Sequence, residues 1–143
     1  MITAVDTNVL LDVFAADPRF GPSSRDALRQ CLAEGSLVAC DVVWAEVAAA
    51  FEDPEAAAGA LDRLEVGYDG VDRDAALAAG LAWRRYRATG GTRRRILPDL
   101  IIGAHAAARA ERLLTRDRGF YRSSFAELTI FDPADRERGL ADR

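Results

Sequence analysis

The chain has 143 residues, 50% of them hydrophobic, and a formal net charge of −4 at pH 7. The apolar share excludes a disordered chain, and the length predicts one domain over residues 1–143 with a core that needs no disulfides. The acidic balance excludes a cationic surface spread over the whole molecule. All 19 basic residues are arginine. Arginine suits phosphate contact, but a genome-wide codon bias explains most of them better.

The first half of the chain predicts short buried strands that alternate with helices. Runs of four or five apolar residues are typical of buried strands, and apolar residues spaced three or four apart are typical of helices. The predicted elements are a strand at residues 2–5, a helix at 7–14, a helix from Ser23 or Ser24 to about Glu34, a strand at 36–40, a helix at 42–51 capped by Asp41, and a helix opened by Asp53-Pro54-Glu55 that runs to about Leu64.

The second half continues this alternation and predicts an α/β fold. Because the strands are continuous apolar runs separated by helices, we expect a parallel sheet covered on both faces. The predicted elements are an edge strand or loop at 66–71, a helix from 73 to about 88, a break at 89–92, a helix at 99–109 behind Pro98, a strand at 113–115, a polar turn region at 117–125, a strand at 128–131 and a polar tail at 132–143.

Four acidic residues fall where such a fold gathers side chains, at the carboxyl ends of its strands. Asp6 directly follows the first strand, and Asp117 follows a later strand with one residue between. Asp99 opens a helix whose start borders the same edge, and Glu46 is set in an apolar helix face. Each residue alone has a structural alternative: a helix cap for Asp6 or Asp99, a turn for Asp117 and an arginine pair for Glu46.

Together, the four acids predict a site for divalent metal ions. Carboxylates in one place repel each other, and divalent cations remove that penalty. Hard oxygen ligands without histidine or cysteine select Mg²⁺ or Mn²⁺. Such ions activate water and stabilise the displacement at a phosphodiester, which is therefore the expected substrate.

Four segments carry a family resemblance. The segments are Val5-Asp6-Thr7-Asn8, Trp44-Ala45-Glu46-Val47, Pro98-Asp99-Leu100-Ile101-Ile102 and Leu114-Thr115-Arg116-Asp117 followed by Phe120. They resemble the PIN-domain ribonucleases, and most nearly the VapC toxins of bacterial toxin–antitoxin pairs, over residues 2–131. The resemblance implies a three-layer α/β/α sandwich with a central, mainly parallel sheet and Mg²⁺- or Mn²⁺-dependent endonuclease cleavage of RNA. It also implies a homodimer and a VapB-like antitoxin whose C-terminal part blocks the site.

The resemblance also implies roles for particular residues. Asp6, Glu46, Asp99 and Asp117 match the acidic metal-binding and catalytic set, in which Glu46 either ligates the metal or orients the attacking water. The supporting positions are the hydroxyl and amide of Thr7 and Asn8, which steady the first aspartate, and the hydroxyl of Thr115 near the metal. The loop near Asp17 and the arginine-rich stretch match no pattern position.

Arginines near the glycine break form the best local basic patch. An RNA backbone could follow this patch. The alternative is a solvated helix face that pairs with Asp72 and Asp74. His105 lies off the Asp99 side of its helix and is interpreted as a buried or interface residue. The proposed RNA contacts are Arg93, Arg94, Arg95 and Arg116, with Arg84, Arg85 and Arg87 nearby.

Two other functions compete with a nuclease. A catalytically inactive PIN-like module could hold a partner's arginine in the acidic pocket, although one arginine needs only one carboxylate. A phosphatase of the haloacid-dehalogenase type needs an Asp-x-Asp-x-Thr loop, whereas Asp6 is followed by Thr7-Asn8. No signal peptide or membrane segment is recognised, and Cys31 and Cys40 are interpreted as buried free thiols. We therefore expect a cytoplasmic protein.

Overall fold

A computed structural model describes residues 1–93 and 96–136. The predictions for Arg94, Arg95 and the end of the tail, residues 137–143, lie outside the described residues. Most elements begin and end within a residue or two of their predicted positions. In chain order they are β1 (Ile2–Val5), α1 (Thr7–Phe14), α2 (Gly21–Glu34), β2 (Ser36–Ala39), α3 (Asp41–Ala48), α4 (Pro54–Arg63), β3 (Val66–Tyr68), α5 (Arg73–Ala88), α6 (Leu97–Arg109), β4 (Arg112–Leu114), α7 (Arg118–Ser124) and β5 (Ile130–Phe131).

The strands form one parallel sheet in the order β3-β2-β1-β4-β5. From β1 the chain moves outward to β2 and β3 and then returns to the other side of β1 as β4. Because crossovers between parallel strands are right-handed as a rule, this reversal places helices on both faces of the sheet, as the three-layer α/β/α prediction requires. It also makes the carboxyl ends of β1 and β4 a topological switch point, where α/β proteins bind ligands.

Two groups of buried side chains hold the layers together. The larger surrounds the sheet and includes Val5, Leu37 and Leu113. The smaller lies where α5 packs on α6, with alanines such as Ala75 and Ala79 against Leu100. Small side chains let the two helices approach closely, so α6 is held firmly between α5 and the sheet. The start of α6, which carries Asp99, is therefore well supported.

The structure corrects several predicted boundaries. Helix α2 begins at Gly21 and not at a serine cap, because Pro22 is tolerated in a first helical turn and the Asp17 carboxylate accepts from the amides of Arg19 and Phe20. Helix α3 ends at Ala48, and Asp41 lies inside its first turn instead of capping it.

Larger corrections concern the last third of the chain. The predicted polar turn region at 117–125 contains a helix, α7, which the polar composition concealed. Strand β5 spans only two residues, and β4 lies one residue earlier than predicted. Asp132, predicted to start a polar tail, is buried and accepts from the amide of Ala134. Among the described residues, no helix has the length and apolar character needed to cross a bilayer.

Candidate active site at the switch point

Asp6 is the buried centre of the site. It lies at the end of β1, where its amide donates to the carbonyl of Leu114 in β4. Its Oδ1 accepts from the amide of Thr7 at 2.7 Å, so it also caps α1, and its Oδ2 accepts from Thr115 Oγ1 at 2.8 Å. The Asn8 amide donates to the same oxygen at 3.3 Å. Neutral donors therefore orient this carboxylate without cancelling its charge.

Thr115 connects the two neighbouring strands of the site. Besides donating to Asp6, its hydroxyl accepts from the amide of Asp117 at 3.0 Å and from the Asn8 side chain at 3.4 Å. The Asn8 carbonyl in turn accepts from the amide of Arg116 at 3.3 Å. The three predicted supporting residues, Thr7, Asn8 and Thr115, thus surround Asp6 and fix the turn that leads to Asp117.

Glu46 reaches the site from α3, but not as predicted. Its helix buries Val43 and Val47 in the core, whereas Glu46 is exposed and is not set in an apolar face. The helix geometry explains why Glu46 is exposed, since this residue lies beside the buried stripe formed by positions 43 and 47. Its Oε1 accepts from Thr7 Oγ1 at 2.8 Å, which directs the carboxylate toward Asp6.

Asp99 lies in the first turn of α6 and is half-buried. Burial, followed by the charges of Asp6, Glu46 and Asp117, raises its pKa to about 6. Burial, and to a lesser degree the charge of Glu46, raises the pKa of Asp6 to about 6 against the opposing hydrogen bonds. Asp6, Glu46 and Asp117 are therefore near enough to Asp99 to disfavour its ionisation, as carboxylates at one site do.

The donor set fits a hard divalent cation. It consists of carboxylate and hydroxyl oxygens at the carboxyl edge of the sheet, with raised pKa values for Asp6 and Asp99 that a cation would reverse. Within residues 1–93 and 96–136, no three acidic, histidine or cysteine side chains stand close enough to form a finished ligand cage. One of the acids pairs with an arginine instead: Asp117 contacts Arg93 at 3.2 Å.

Two of the predicted RNA-contacting arginines have different surroundings. Arg93 lies at the rim of the site, more than half exposed, paired with Asp117 and 5.5 Å from the centre of the Phe120 ring. Arg116 points away from the acids: its guanidinium bonds both oxygens of Asp12 at 2.6 and 3.0 Å and stacks 4.0 Å over Phe20. Arg116 therefore pairs with Asp12 within the fold, whereas Arg93 lies at the rim of the site.

His105 is buried, as interpreted from the sequence, and its Nε2 lies 2.7 Å from the Asp69 carboxylate. One further residue near the acids, Tyr121, is not predicted from the sequence. This side chain is fully buried in α7, and the charges of Asp6, Asp99 and Asp117 act on its hydroxyl. A helix after Asp117 places position 121 one turn later on the same side, but the polar composition of this segment predicts a turn and hides that spacing.

Fold and site together define a parallel α/β protein with an acidic, hydroxyl-lined pocket where the strand order reverses. A family model for the PIN domain matches residues 3–126. The chain therefore belongs to the PIN-domain family, whose members are generally nucleases that act on nucleic acid.

Solved structures agree with this fold. The chain is similar to VapBC2 from Rickettsia felis bound to a DNA fragment from its promoter (TM-score 0.70, 21% identity, 92% of this chain and 98% of that one). It is also similar to VapBC-1 from nontypeable Haemophilus influenzae (0.70, 19%, 94% and 99%) and to a toxin–antitoxin complex from Klebsiella pneumoniae (0.65, 23%, 92% and 97%). A search of curated proteins finds no match.

Proposed function

We propose that this protein is a VapC-type toxin, an endoribonuclease that hydrolyses RNA phosphodiesters with Mg²⁺ or Mn²⁺. The observation that carries the proposal is that Asp99 at the switch point of the sheet is close enough to Asp6, Glu46 and Asp117 for their charges to raise its pKa. A carboxyl group whose pKa is raised by neighbouring carboxylates costs free energy to ionise in the empty protein. A bound cation removes that cost, and the free energy gained contributes to the affinity for the cation.

Each residue has a proposed role. Asp6, Asp99 and Asp117 hold the cation, which would lower the pKa of a water and stabilise charge at the phosphoryl group. Glu46, directed by the Thr7 hydroxyl, orients that water or also ligates the cation. Arg93 at the rim would exchange its contact with Asp117 for the phosphate of the substrate, since arginine binds phosphate in the same bidentate way as a carboxylate.

The proposed partners are the RNA substrate, a VapB-like antitoxin and a second copy of the chain, in the cytoplasm. The support for the antitoxin is the likeness to toxin–antitoxin complexes over nearly the whole chain. The homodimer follows from the family resemblance alone, and the cytoplasm from the two free, buried cysteines.

The competing function is a pocket that holds a partner's arginine without chemistry. One observation favours it: Arg93 already shows that a guanidinium fits against Asp117 at 3.2 Å. A pocket built only for one guanidinium gains nothing from three further acids, however, and the charges of its neighbours raise the pKa of Asp99. The nuclease therefore explains more of the site.

The test is cleavage of RNA by the purified chain with Mn²⁺, with Mg²⁺ and with a chelator, using transfer RNA, ribosomal RNA and DNA of matched sequence. We expect RNA cleavage only with the metals, and a loss of at least about 100-fold in the Asp99→Asn variant, because that variant removes a proposed ligand charge. Calorimetric titration with Mn²⁺ should show a matching loss of binding.

The control is Asp26→Asn on α2, an exposed carboxylate in loose ion pairs with Arg25 and Arg29. It should cleave and bind metal like the original protein. Unaltered cleavage by Asp99→Asn would refute the site. A chain that binds neither metal but does bind an arginine peptide would support the arginine-holding module.

A further inference from the structure

A cavity of about 490 Å³ lies between the last turns of α5 and α7. Pockets for small organic ligands typically have volumes of about 300–1,000 Å³. Within the described part of the chain, no side-chain hydrogen bond or ion pair engages the Arg85 guanidinium or the hydroxyls of Ser123 and Ser124. This cavity, called the Arg85 cavity below, therefore presents a cation and two hydroxyl groups that are available to a ligand. Its polar lining residues are Arg85, Tyr86, Thr89, Ser123 and Ser124.

A series of contacts connects the Arg85 cavity to the candidate active site. Arg93 pairs with Asp117, and the Arg93 guanidinium lies 5.5 Å from the centre of the Phe120 ring. The Phe120 ring packs edge-on against Tyr86 with 6.2 Å between centroids. The Tyr86 hydroxyl accepts from the Arg93 amide at 2.9 Å. Because Tyr86 also lines the cavity, the cavity and the acids lie along one continuous surface.

Helix α7 sets the distance between the two places. Asp117 directly precedes α7, and Ser123 and Ser124 are the last two residues of this helix. At 1.5 Å per residue, the helix places the serines about 9–10 Å from Asp117. A phosphate that reacts at the acids therefore cannot also contact these serines, whereas a flanking nucleotide of the same strand can.

Positive charge exceeds negative charge around the cavity. Arg85 and Arg87 lie in the last turn of α5 and Arg122 in the last turn of α7, whereas Asp74 lies at the opposite end of α5. Glu127, just after the cavity lining in sequence, is one acid beside these three arginines. Arginines in a last turn also stabilise the helix dipole, but that role requires neither a cavity nor free hydroxyl groups. The combination of charge and hydroxyl donors is suited to a phosphate.

We propose that the Arg85 cavity binds a flanking nucleotide of the RNA substrate, with its phosphate on the Arg85 guanidinium and the hydroxyls of Ser123 and Ser124. The choice of RNA as the ligand rests on the proposed function. Arginine and hydroxyl side chains are common phosphate contacts in proteins that bind nucleic acids, and such contacts position a strand without reading its sequence. The cavity therefore holds the strand in place while another phosphate lies at the acids.

The test is the affinity for a fluorescently labelled oligouridylate, measured by anisotropy in EDTA over a series of salt concentrations. We expect Arg85→Gln to weaken binding roughly tenfold and to reduce the slope of log affinity against log salt by about 0.7, because one phosphate contact of a single strand is lost. Ser124→Ala should weaken binding about threefold without changing the slope, because it removes a donor and no charge. Neither variant should alter the midpoint of thermal unfolding or the affinity for Mn²⁺.

The control is Arg29→Gln on α2, which removes a positive charge that is 71% exposed and does not line the cavity. It should bind the oligouridylate like the original protein. An Arg85→Gln protein with the original affinity and slope would overturn the inference, and so would equal weakening by Arg29→Gln, which would reduce the effect to net charge.

Two further outcomes separate this inference from the proposed function. An original protein that does not bind the oligouridylate even at low salt would overturn the inference, while the cleavage test with metals decides the proposed function independently. Binding that depends on Arg85, in a protein that cleaves RNA with neither metal, would refute the nuclease and support the cavity as an RNA-binding site.

Discussion

At the scale of single residues, the buried carboxylates of Asp6 and Asp12 differ in the partners that they contact. Asp12 is satisfied by the Arg116 guanidinium and by the hydroxyl of Ser24 at 2.9 Å, so its charge is cancelled within the fold. Asp6 receives only neutral donors and keeps its charge for a ligand. This contrast separates an acid that braces the structure from one that is available for binding.

Thr115→Val tests the support of Asp6. The substitution keeps the shape but removes the donor to Asp6 Oδ2 and the acceptor for the Asp117 amide. We expect the free energy of unfolding to fall by about 1–3 kcal/mol, because buried polar groups lose their partners. Urea denaturation measures it, with Thr129→Val at an exposed position as the control. Equal stabilities of the two variants would contradict the assigned role of the Thr115 hydroxyl.

At the scale of elements, a side-chain clasp joins the edge strand to α6. Asp69, directly after β3, contacts His105 at 2.7 Å and accepts two bonds from the Arg109 guanidinium at 3.0 and 3.1 Å. The clasp ties the loop before α5 to the helix that carries Asp99. Hydrogen bonds from Arg109, and secondarily from His105, lower the pKa of Asp69 to about 2.

This lowered pKa predicts how the clasp responds to acid. Above the ordinary pKa of 3.8, Asp69 is ionised in the folded and the unfolded chain, and its stabilisation is complete. As the pH falls from 3.8 through about 2, the unfolded chain takes up a proton first, and the stabilisation is lost. Asp69→Asn should therefore unfold at a lower temperature than the original at pH 5, with the difference shrinking toward pH 2.

Thermal unfolding at pH 5, 4, 3 and 2 measures this difference, with Asp26→Asn as the control for loss of an exposed carboxylate. A difference that stays constant down to pH 2 would mean that the Asp69 charge does not stabilise the clasp.

At the scale of the whole molecule, the two edges of the sheet differ in how their polar groups are paired. The carboxyl edge carries the four acids, whereas at the amino edge the charged and polar side chains contact one another. There the Arg112 guanidinium joins Glu34 at 2.6 Å and Thr3 at 2.9 Å. The Gly35 backbone approaches Met1 so closely that an added Cβ would lie 1.8 Å from the Met1 carbonyl oxygen.

Gly35→Ala tests this division. The new methyl group must displace the backbone before β1, and we expect a loss of about 2–3 kcal/mol in the free energy of unfolding. Because the change is at the edge away from the acids, affinity for Mn²⁺ should remain that of the original protein. Chemical denaturation and calorimetry measure the two quantities. A large loss of Mn²⁺ affinity in the folded variant would show that the edges are coupled.

Much of the fold was predictable from local pattern. The bounds of β1, α1 and α5 match their predictions because their apolar spacing and their aspartate caps are local signals. Helix α7 was missed because its seven residues are mostly polar and its one fully buried side chain is Tyr121. Because helix α7 is not predicted, the place of Tyr121 near the acids is not predicted either; it is the only tyrosine that we identify there among the described residues.

By itself, the sequence determined the alternation of strands and helices and the four acids placed where parallel strands end. These depend on spacing along the chain, which the order of residues contains. Only the tertiary structure decided that Glu46 is exposed beside Thr7, that Arg116 contacts Asp12, that Asp69 contacts His105 and Arg109, and that Tyr121 is fully buried. Each depends on which distant side chains meet and how deeply they are buried, which spacing alone does not specify.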